Sequence, residues 1–241
     1  MNILLLMMGG SGTRVGGDIP KQYVEINGKP IFFYILNKYI ETRMIDKICI
    51  ISNEKWIEYV KMTISSLHSV APITVVAGGS TRSESVKNGL LEVSSYANDD
   101  DVILIHDATH PYVDVSVLPE MISAIECYGG ATLGEFQYDT CYQMSDEHII
   151  DKVLPRQFLV AGASPEGFQY KEISTIYFSS SKEELESMSS AGAIALNHNI
   201  NMKVIETKVL NLKITHSEDL EILKVLLTDY FFKDDTRGRK S

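Results

Sequence analysis

The chain opens on a short apolar run, Asn2–Leu6, that passes directly into a glycine-rich stretch, Met7–Tyr23, MMGGSGTRVGGDIPKQY. A short apolar run bounded by glycines reads as a buried strand of a parallel sheet, because a strand covered on both faces has no polar side to alternate with. Gly9, Gly10 and Gly12 allow positive φ and a close backbone approach to a ligand, so that N–H groups can surround an anion. Arg14 and Lys21 add what amides lack, a bidentate fork and a point charge. The stretch is therefore a candidate triphosphate cradle. It has neither the Lys-Ser/Thr ending of a P-loop nor the G-x-G-x-x-G spacing of a dinucleotide fingerprint. A plain turn is the competing reading of the glycines alone, and Arg14 with the Pro20-Lys21-Gln22 cluster weighs against it.

Short apolar runs then alternate with helix-length segments. Strands are expected at Lys47–Ser52, Ile73–Val76, Asp101–Ile105, Ala131–Phe136 and Asn201–Glu206. Helices are expected at Pro30–Glu41, Glu54–Leu67, Asp114–Cys127, Phe168–Ile176, Lys182–Ser190 and Leu220–Phe231. This pattern predicts an α/β fold, a mostly parallel twisted sheet with helices on both faces, in which ligands bind at the carboxyl ends of the strands. Residues 137–160 break the pattern with a polar, acidic turn at Ser145-Asp146-Glu147-His148 and read as a projecting β-arm. The whole of 1–241 is expected to form a single domain, with a frayed charged tail at 233–241.

A net charge of −10 excludes nonspecific nucleic-acid binding, which needs a basic footprint, so any anionic ligand must be held by a few local cations. No run approaches the length of a membrane helix and no signal-peptide pattern opens the chain, so a cytoplasmic protein is expected. Cys49, Cys127 and Cys141 are odd in number and far apart, and read as reduced. The histidines show no H-E-x-x-H or related spacing, which excludes a zinc hydrolase.

Three further loops carry chemistry. In Gly78–Leu90, Gly79, Ser80 and Ser85 are placed to surround a nucleobase while Arg82 braces the loop; a capping box from Ser80 or Thr81 with Glu84 is the structural alternative. Asp107 follows a buried strand, where a carboxylate can ligate Mg²⁺ or hold a ribose hydroxyl, or simply form a turn. In Asn211–Thr215, Lys213 is flanked by Leu212 and Ile214, so in an extended segment it points away from both, toward a crevice or toward solvent.

The motifs Gly10-x-Gly12-x-Arg14-x-Gly16, Pro20-Lys21-Gln22-Tyr23 and Gly28-Lys29-Pro30 together resemble the opening of nucleotidyltransferases that activate sugar or polyol phosphates. Within that group the chain is most similar to the cytidylyltransferases acting on methylerythritol phosphate and on ribitol phosphate. Gly78–Leu90, His106–Pro111 and Asn211–Leu220 resemble further motifs of the same family, and the likeness runs from about Ile3 to Asp229. It implies a Rossmann-like domain that binds CTP, with Gly9, Gly10, Gly12, Gly79, Ser80, Ser85 and Asp107 on the nucleotide. It further implies Arg14, Lys21 and Lys213 as the catalytic cations, Mg²⁺ at Asp107, and a homodimer through the arm. His110, Asp139, Thr140, Arg156 and Ser164 fall on the acceptor side.

The acceptor side also departs from the family. His110 stands where an Arg is usual, though protonation beside a dianion would partly restore the charge. Ala163 and Glu166 replace glutamines around Ser164-Pro165. The expected reaction is cytidylyl transfer from CTP to a polyol phosphate, ribitol 5-phosphate or a related alditol phosphate, releasing pyrophosphate. The alternatives are transfer to 2-C-methyl-D-erythritol 4-phosphate in isoprenoid synthesis and, in another class, a noncatalytic nucleotide-binding paralogue.

Overall fold

The structure, a computed structural model, describes residues 1–10 and 19–230. The expected α/β fold is present, built on a seven-stranded sheet. Its strands are β1 (Asn2–Met8), β4 (Lys47–Ser52), β5 (Ile73–Ala77), β6 (Val102–Asp107), β7 (Gly129–Phe136), β10 (Val160–Gln169) and β11 (Asn201–Glu206). They lie in the order β11-β7-β10-β6-β1-β4-β5. Neighbours pair in parallel except β10, which is antiparallel to both β6 and β7.

Burial on both faces explains the apolar runs. Leu4, Leu6 and Met8 of β1 face one core with Ile48, Ile50 and Leu104, while Ile3, Leu5 and Met7 face the other with Cys49, Ile51 and Ile105. Successive strand residues point to opposite faces, so one uninterrupted apolar strand feeds two cores. The first core is covered by α1 (Ile31–Thr42), α4 (Leu118–Tyr128) and α8 (Ser217–Tyr230). The second is covered by α3 (Arg82–Val93), α5 (Tyr170–Ser179), α6 (Lys182–Ser187) and α7 (Ala191–Asn197). A further helix, α2 (Ile57–Ile64), packs beside β5.

Three expectations are corrected. Phe168 does not open a helix: it pairs with Ile103 and Gly130 in β10, and α5 begins at Tyr170. Gly162, Pro165 and Gly167 disguise this strand, and the chain accommodates them with an irregularity in register between Ala163 and Glu166. The helix expected over Lys182–Ser190 ends at Ser187, and a second, α7, starts after Ser190, whose hydroxyl accepts from the Ala193 amide. The helix expected from Glu54 begins as a 3-10 turn, becomes α-helical at Ile57 and ends at Ile64, where Ser65 and Ser66 turn their hydroxyls back onto backbone carbonyls.

Two small pieces stand apart from the main sheet. The strands β2 (Glu25–Ile26) and β3 (Lys29–Pro30) form a tight hairpin through Asn27 and Gly28, both at positive φ. The arm is present as β8 (Cys141–Met144) and β9 (Ile150–Leu154), an antiparallel pair forming its own sheet.

Candidate active site

The sheet order reverses direction about β1, with β4 and β5 on one side and β6 on the other, and the loops leaving β1 and β6 must part there. Met7 and Asp107 are register partners at this point, so the glycine loop and the acidic loop leave the sheet side by side.

The ends of the glycine loop are fixed from below. Lys21–Tyr23 forms a 3-10 turn. From it the buried Gln22 amide donates to the carbonyls of Met8 at 2.8 Å and Gly10 at 2.9 Å. Tyr23 donates to Met8 O at 3.2 Å, bonds Ser52 at 2.9 Å and stacks on Trp56 with ring centroids 4.5 Å apart. Gln22 and Tyr23 are positioning residues that the sequence signalled only as part of the Pro-Lys-Gln-Tyr cluster. Gly12 and Arg14 lie outside the described residues.

The second loop touches the first. A Cβ on Gly78 would stand 3.1 Å from Gly9 Cα, and a Cβ on either Gly9 or Gly78 would stand 2.9 Å from Ser85 Oγ. Only glycine permits this approach. Ser85 is buried, accepts from the Gly79 amide at 2.9 Å and donates to Thr81 O at 2.8 Å. Ser80 is exposed, with its amide and hydroxyl both 2.6 Å from Glu84 Oε2. Thr81 is the N-cap of α3, accepting from the Glu84 amide at 3.1 Å. The capping alternative is thus realised, and Ser85 braces the loop through the Gly79 amide and the Thr81 carbonyl.

Arg82 does not brace its own loop. Its Nε donates to Asp107 Oδ1 at 3.1 Å and Oδ2 at 3.3 Å, and Nη2 reaches Glu166 Oε2 at 3.4 Å. Burial works to raise the Asp107 carboxyl, but the Arg82 guanidinium, and after it Lys213, outweighs burial and holds it below the usual carboxylate range. Asp107 is therefore an ionised carboxylate at the mouth of the crevice, its side chain 21% exposed. Among the described residues no group of three or more His, Cys, Asp or Glu could hold a metal. A hard cation at Asp107 would take most of its ligands from phosphate oxygens and water, as magnesium does with nucleotides, and a single carboxylate fits that demand.

His106 and His110 organise the loop after β6. His106 is fully buried, with Nδ1 3.0 Å from the Tyr39 hydroxyl and Nε2 2.9 Å from the His110 carbonyl. A carbonyl only accepts, so Nε2 carries the proton. Burial pushes His106 down to about 4. His110 shares a 3.0 Å hydrogen bond between Nδ1 and Ser164 Oγ. Burial, then His106 and Lys213, pushes it down to about 3. In this environment His110 is thus a neutral hydrogen-bonding group. With Ser164, Tyr112 and Asn211 it lines a small cavity beside the crevice.

Lys21 reaches the segment that carries Lys213. Lys21 Nζ donates to the Ile214 carbonyl, which places it next to Lys213. Ile214 is buried and its amide donates to Thr109 O at 2.8 Å, while Asp219 accepts from the Thr215 and His216 amides at 2.7 and 2.8 Å. The segment is thus pinned to the Asp107 loop, with Lys213 exposed at its crest. The arm residues stand elsewhere: Asp139, Thr140 and Arg156 are exposed, and Arg156 donates to Tyr138 O within the arm.

The ends of the loops after β1, β5 and β6 thus lie together, with an ionised carboxylate at Asp107 and two lysines on adjoining segments, a layout suited to a polyphosphate. Comparison with known proteins agrees. A family model described as 2-C-methyl-D-erythritol 4-phosphate cytidylyltransferase (IspD) matches residues 2–229. The chain is similar to the solved structure of 4-diphosphocytidyl-2C-methyl-D-erythritol synthase from Anaerococcus prevotii, with a TM-score of 0.77 at 20% identity, covering 94% of this chain and 98% of that one. It is also similar to 2-C-methyl-D-erythritol 4-phosphate cytidylyltransferase from Francisella tularensis, with a TM-score of 0.73 at 26% identity, covering 93% and 99%. The chain belongs to the 2-C-methyl-D-erythritol 4-phosphate cytidylyltransferase family of nucleotidyltransferases, enzymes for which CTP is a substrate.

Proposed function

We propose that the chain transfers the cytidylyl group of CTP to 2-C-methyl-D-erythritol 4-phosphate, giving the CDP-linked polyol and pyrophosphate. The observation that carries this reading is the family match across residues 2–229. The ribitol 5-phosphate acceptor expected from the sequence has no support in the comparisons, which name the methylerythritol acceptor.

An oxygen of the acceptor phosphate attacks the α-phosphorus of CTP, one P–O bond forms, and the bond to the bridging oxygen breaks to release pyrophosphate. A phosphate monoester is a nucleophile as it stands, so the chain need supply no general base. Its work is positioning and charge neutralisation. In this reading Gly9, Gly10, Gly12 and Arg14 take the triphosphate, Gly79, Ser80 and Ser85 edge the base, and Lys21 and Lys213 flank the α-phosphate. Magnesium, held through Asp107 and the phosphates, would add neutralising charge to the leaving pyrophosphate. The neutral His110 with Ser164 offers hydrogen bonds to the acceptor's hydroxyls. Charge for the acceptor phosphate falls to Lys213 and to Arg156, which arrives with Asp139 and Thr140 on the arm of a second copy, in a homodimer; Asp139 and Thr140 face the acceptor's hydroxyls.

The test is steady-state pyrophosphate release with CTP against both acceptors. Methylerythritol phosphate should be preferred by at least about tenfold in kcat/KM, a difference of about 1.4 kcal/mol. A preference for ribitol 5-phosphate would overturn the acceptor, and no release with any phosphate acceptor would overturn the activity.

A further inference from the structure

Glu166 is joined to parts of the molecule that the cytidylyltransferase reading leaves without a role. It enters β10 between Ile105 of β6 and Thr132 of β7, just past the register irregularity. Its Oε1 accepts from the Gly192 amide at 2.9 Å and its Oε2 from the Ala191 amide at 3.2 Å, at the start of α7. The same Oε2 meets Arg82 Nη2 at 3.4 Å, while the Nε edge of that guanidinium lies on Asp107. A Cβ at Gly192 would stand 2.6 Å from Glu166 Oε1, so the seat exists only because residue 192 is glycine.

One guanidinium thus serves two carboxylates, one anchored and one at the crevice. Arg82 can keep its Nε edge on Asp107 only while its far nitrogen is held, since an arginine side chain otherwise moves among many rotamers. The shared cation also fails to neutralise both acids, and the trio carries a net charge of −1. A glutamine at 166 would keep the shape and one amide acceptor but leave the whole guanidinium charge to Asp107.

We propose that Glu166 is a positioning residue for cytidylyl transfer: seated on the Ala191 and Gly192 amides, it holds Arg82 against Asp107 and shares its charge. Asp107 thereby keeps a fixed place and enough negative charge to hold a divalent cation beside the triphosphate. The proposal rests on the cytidylyltransferase reading for the identity of the nucleotide. Its first half is geometric and its second half electrostatic, and two variants separate them.

Glu166→Gln tests the charge. Binding of Mn²⁺ to the protein with CTP present and acceptor left out, followed by electron paramagnetic resonance of the free ion, should weaken roughly three- to tenfold. Half-saturating Mg²⁺ in pyrophosphate release should rise by a similar factor, with kcat at saturating Mg²⁺ much less affected. Unchanged Mn²⁺ affinity overturns the charge-sharing role. Gly192→Ala tests the seat: the methyl displaces the carboxylate with its charge intact, and kcat at saturating Mg²⁺ should fall about tenfold. An unchanged kcat overturns the positioning role. Because the manganese titration needs no acceptor, it decides on Glu166 whether or not wild-type protein turns over methylerythritol phosphate.

Discussion

The crevice loops and the β8–β9 arm are held by opposite kinds of contact. At the crevice, Gln22, Tyr23, Ser85, Arg82 and Ile214 each tie one loop to another or to a strand end, and most of these atoms are wholly or partly buried. On the arm, Tyr138 is 74% and Phe158 79% exposed, and Tyr142, Met144, Ile149, Ile150 and Val153 are also exposed. Exposed apolar residues gathered on one arm mark an interaction surface. The crevice loops are tied to one another within one chain, whereas the arm presents a surface that a single chain does not cover. In the proposed reading, this difference puts donor binding in the protomer and acceptor binding between protomers.

Lys213→Ala breaks the crevice side most severely. The residue is exposed, so the fold should survive while kcat falls about a hundredfold, the usual cost of removing a charge-stabilising donor. Rapid-quench turnover with a melting curve on the same sample checks both halves. Retention of more than a third of wild-type kcat would remove Lys213 from the catalytic set.

Phe158→Asp attacks the other side. It should convert a dimer to monomer in sedimentation velocity and lower kcat/KM for the acceptor about tenfold, with CTP affinity from calorimetry unchanged. A monomeric wild-type protein, or loss of CTP affinity in the variant, would erase the proposed division of labour.

Acid should loosen the crevice rather than the arm. His106 and His110 titrate at about 4 and about 3 when folded, against an unperturbed 6.5. The unfolded chain therefore binds more protons below pH 6.5, so stability is full above that value and falls as pH drops toward 4. The limiting slope is about 1.4 kcal/mol per pH unit for each histidine. Melting of the nucleotide-free protein between pH 7 and 4.5 should show it, and a flat profile would mean that the two rings are not buried as neutral groups.

The smallest effect is expected at Tyr177. Its hydroxyl is buried with no hydrogen-bond partner among the described residues, within electrostatic reach of Arg82 and Glu166. Tyr177→Phe removes an unsatisfied group and should raise stability by up to about 1 kcal/mol, since such a group costs about that much. A loss of stability would reveal an ordered water bridging the hydroxyl to the Arg82 pair.

Much of the crevice was legible because it is local. Apolar runs mark the strands, and the glycines and Asp107 stand directly at their ends, while Lys213 sits in the short N-x-K-x-T run before the last helix. What stayed hidden depends on pairs remote in sequence. Arg82 and Glu166 are 84 residues apart, and nothing near either announces the other, so Arg82 read as a brace for its own loop. The strand β10 was obscured by its own glycines and proline, and its reversed direction cannot be read from any local pattern. The neutrality of His110 depends on burial and on Lys213, both products of the finished fold.

The close approach of Gly9 to Gly78 has a consequence for how the protein can vary. The gap between them will not take a methyl group from either side without moving Ser85. Two positions, each the first residue after its own strand, are therefore locked to one residue type each, and neither lock can be opened by changing the other. In a library covering every substitution, both columns should be empty but for glycine.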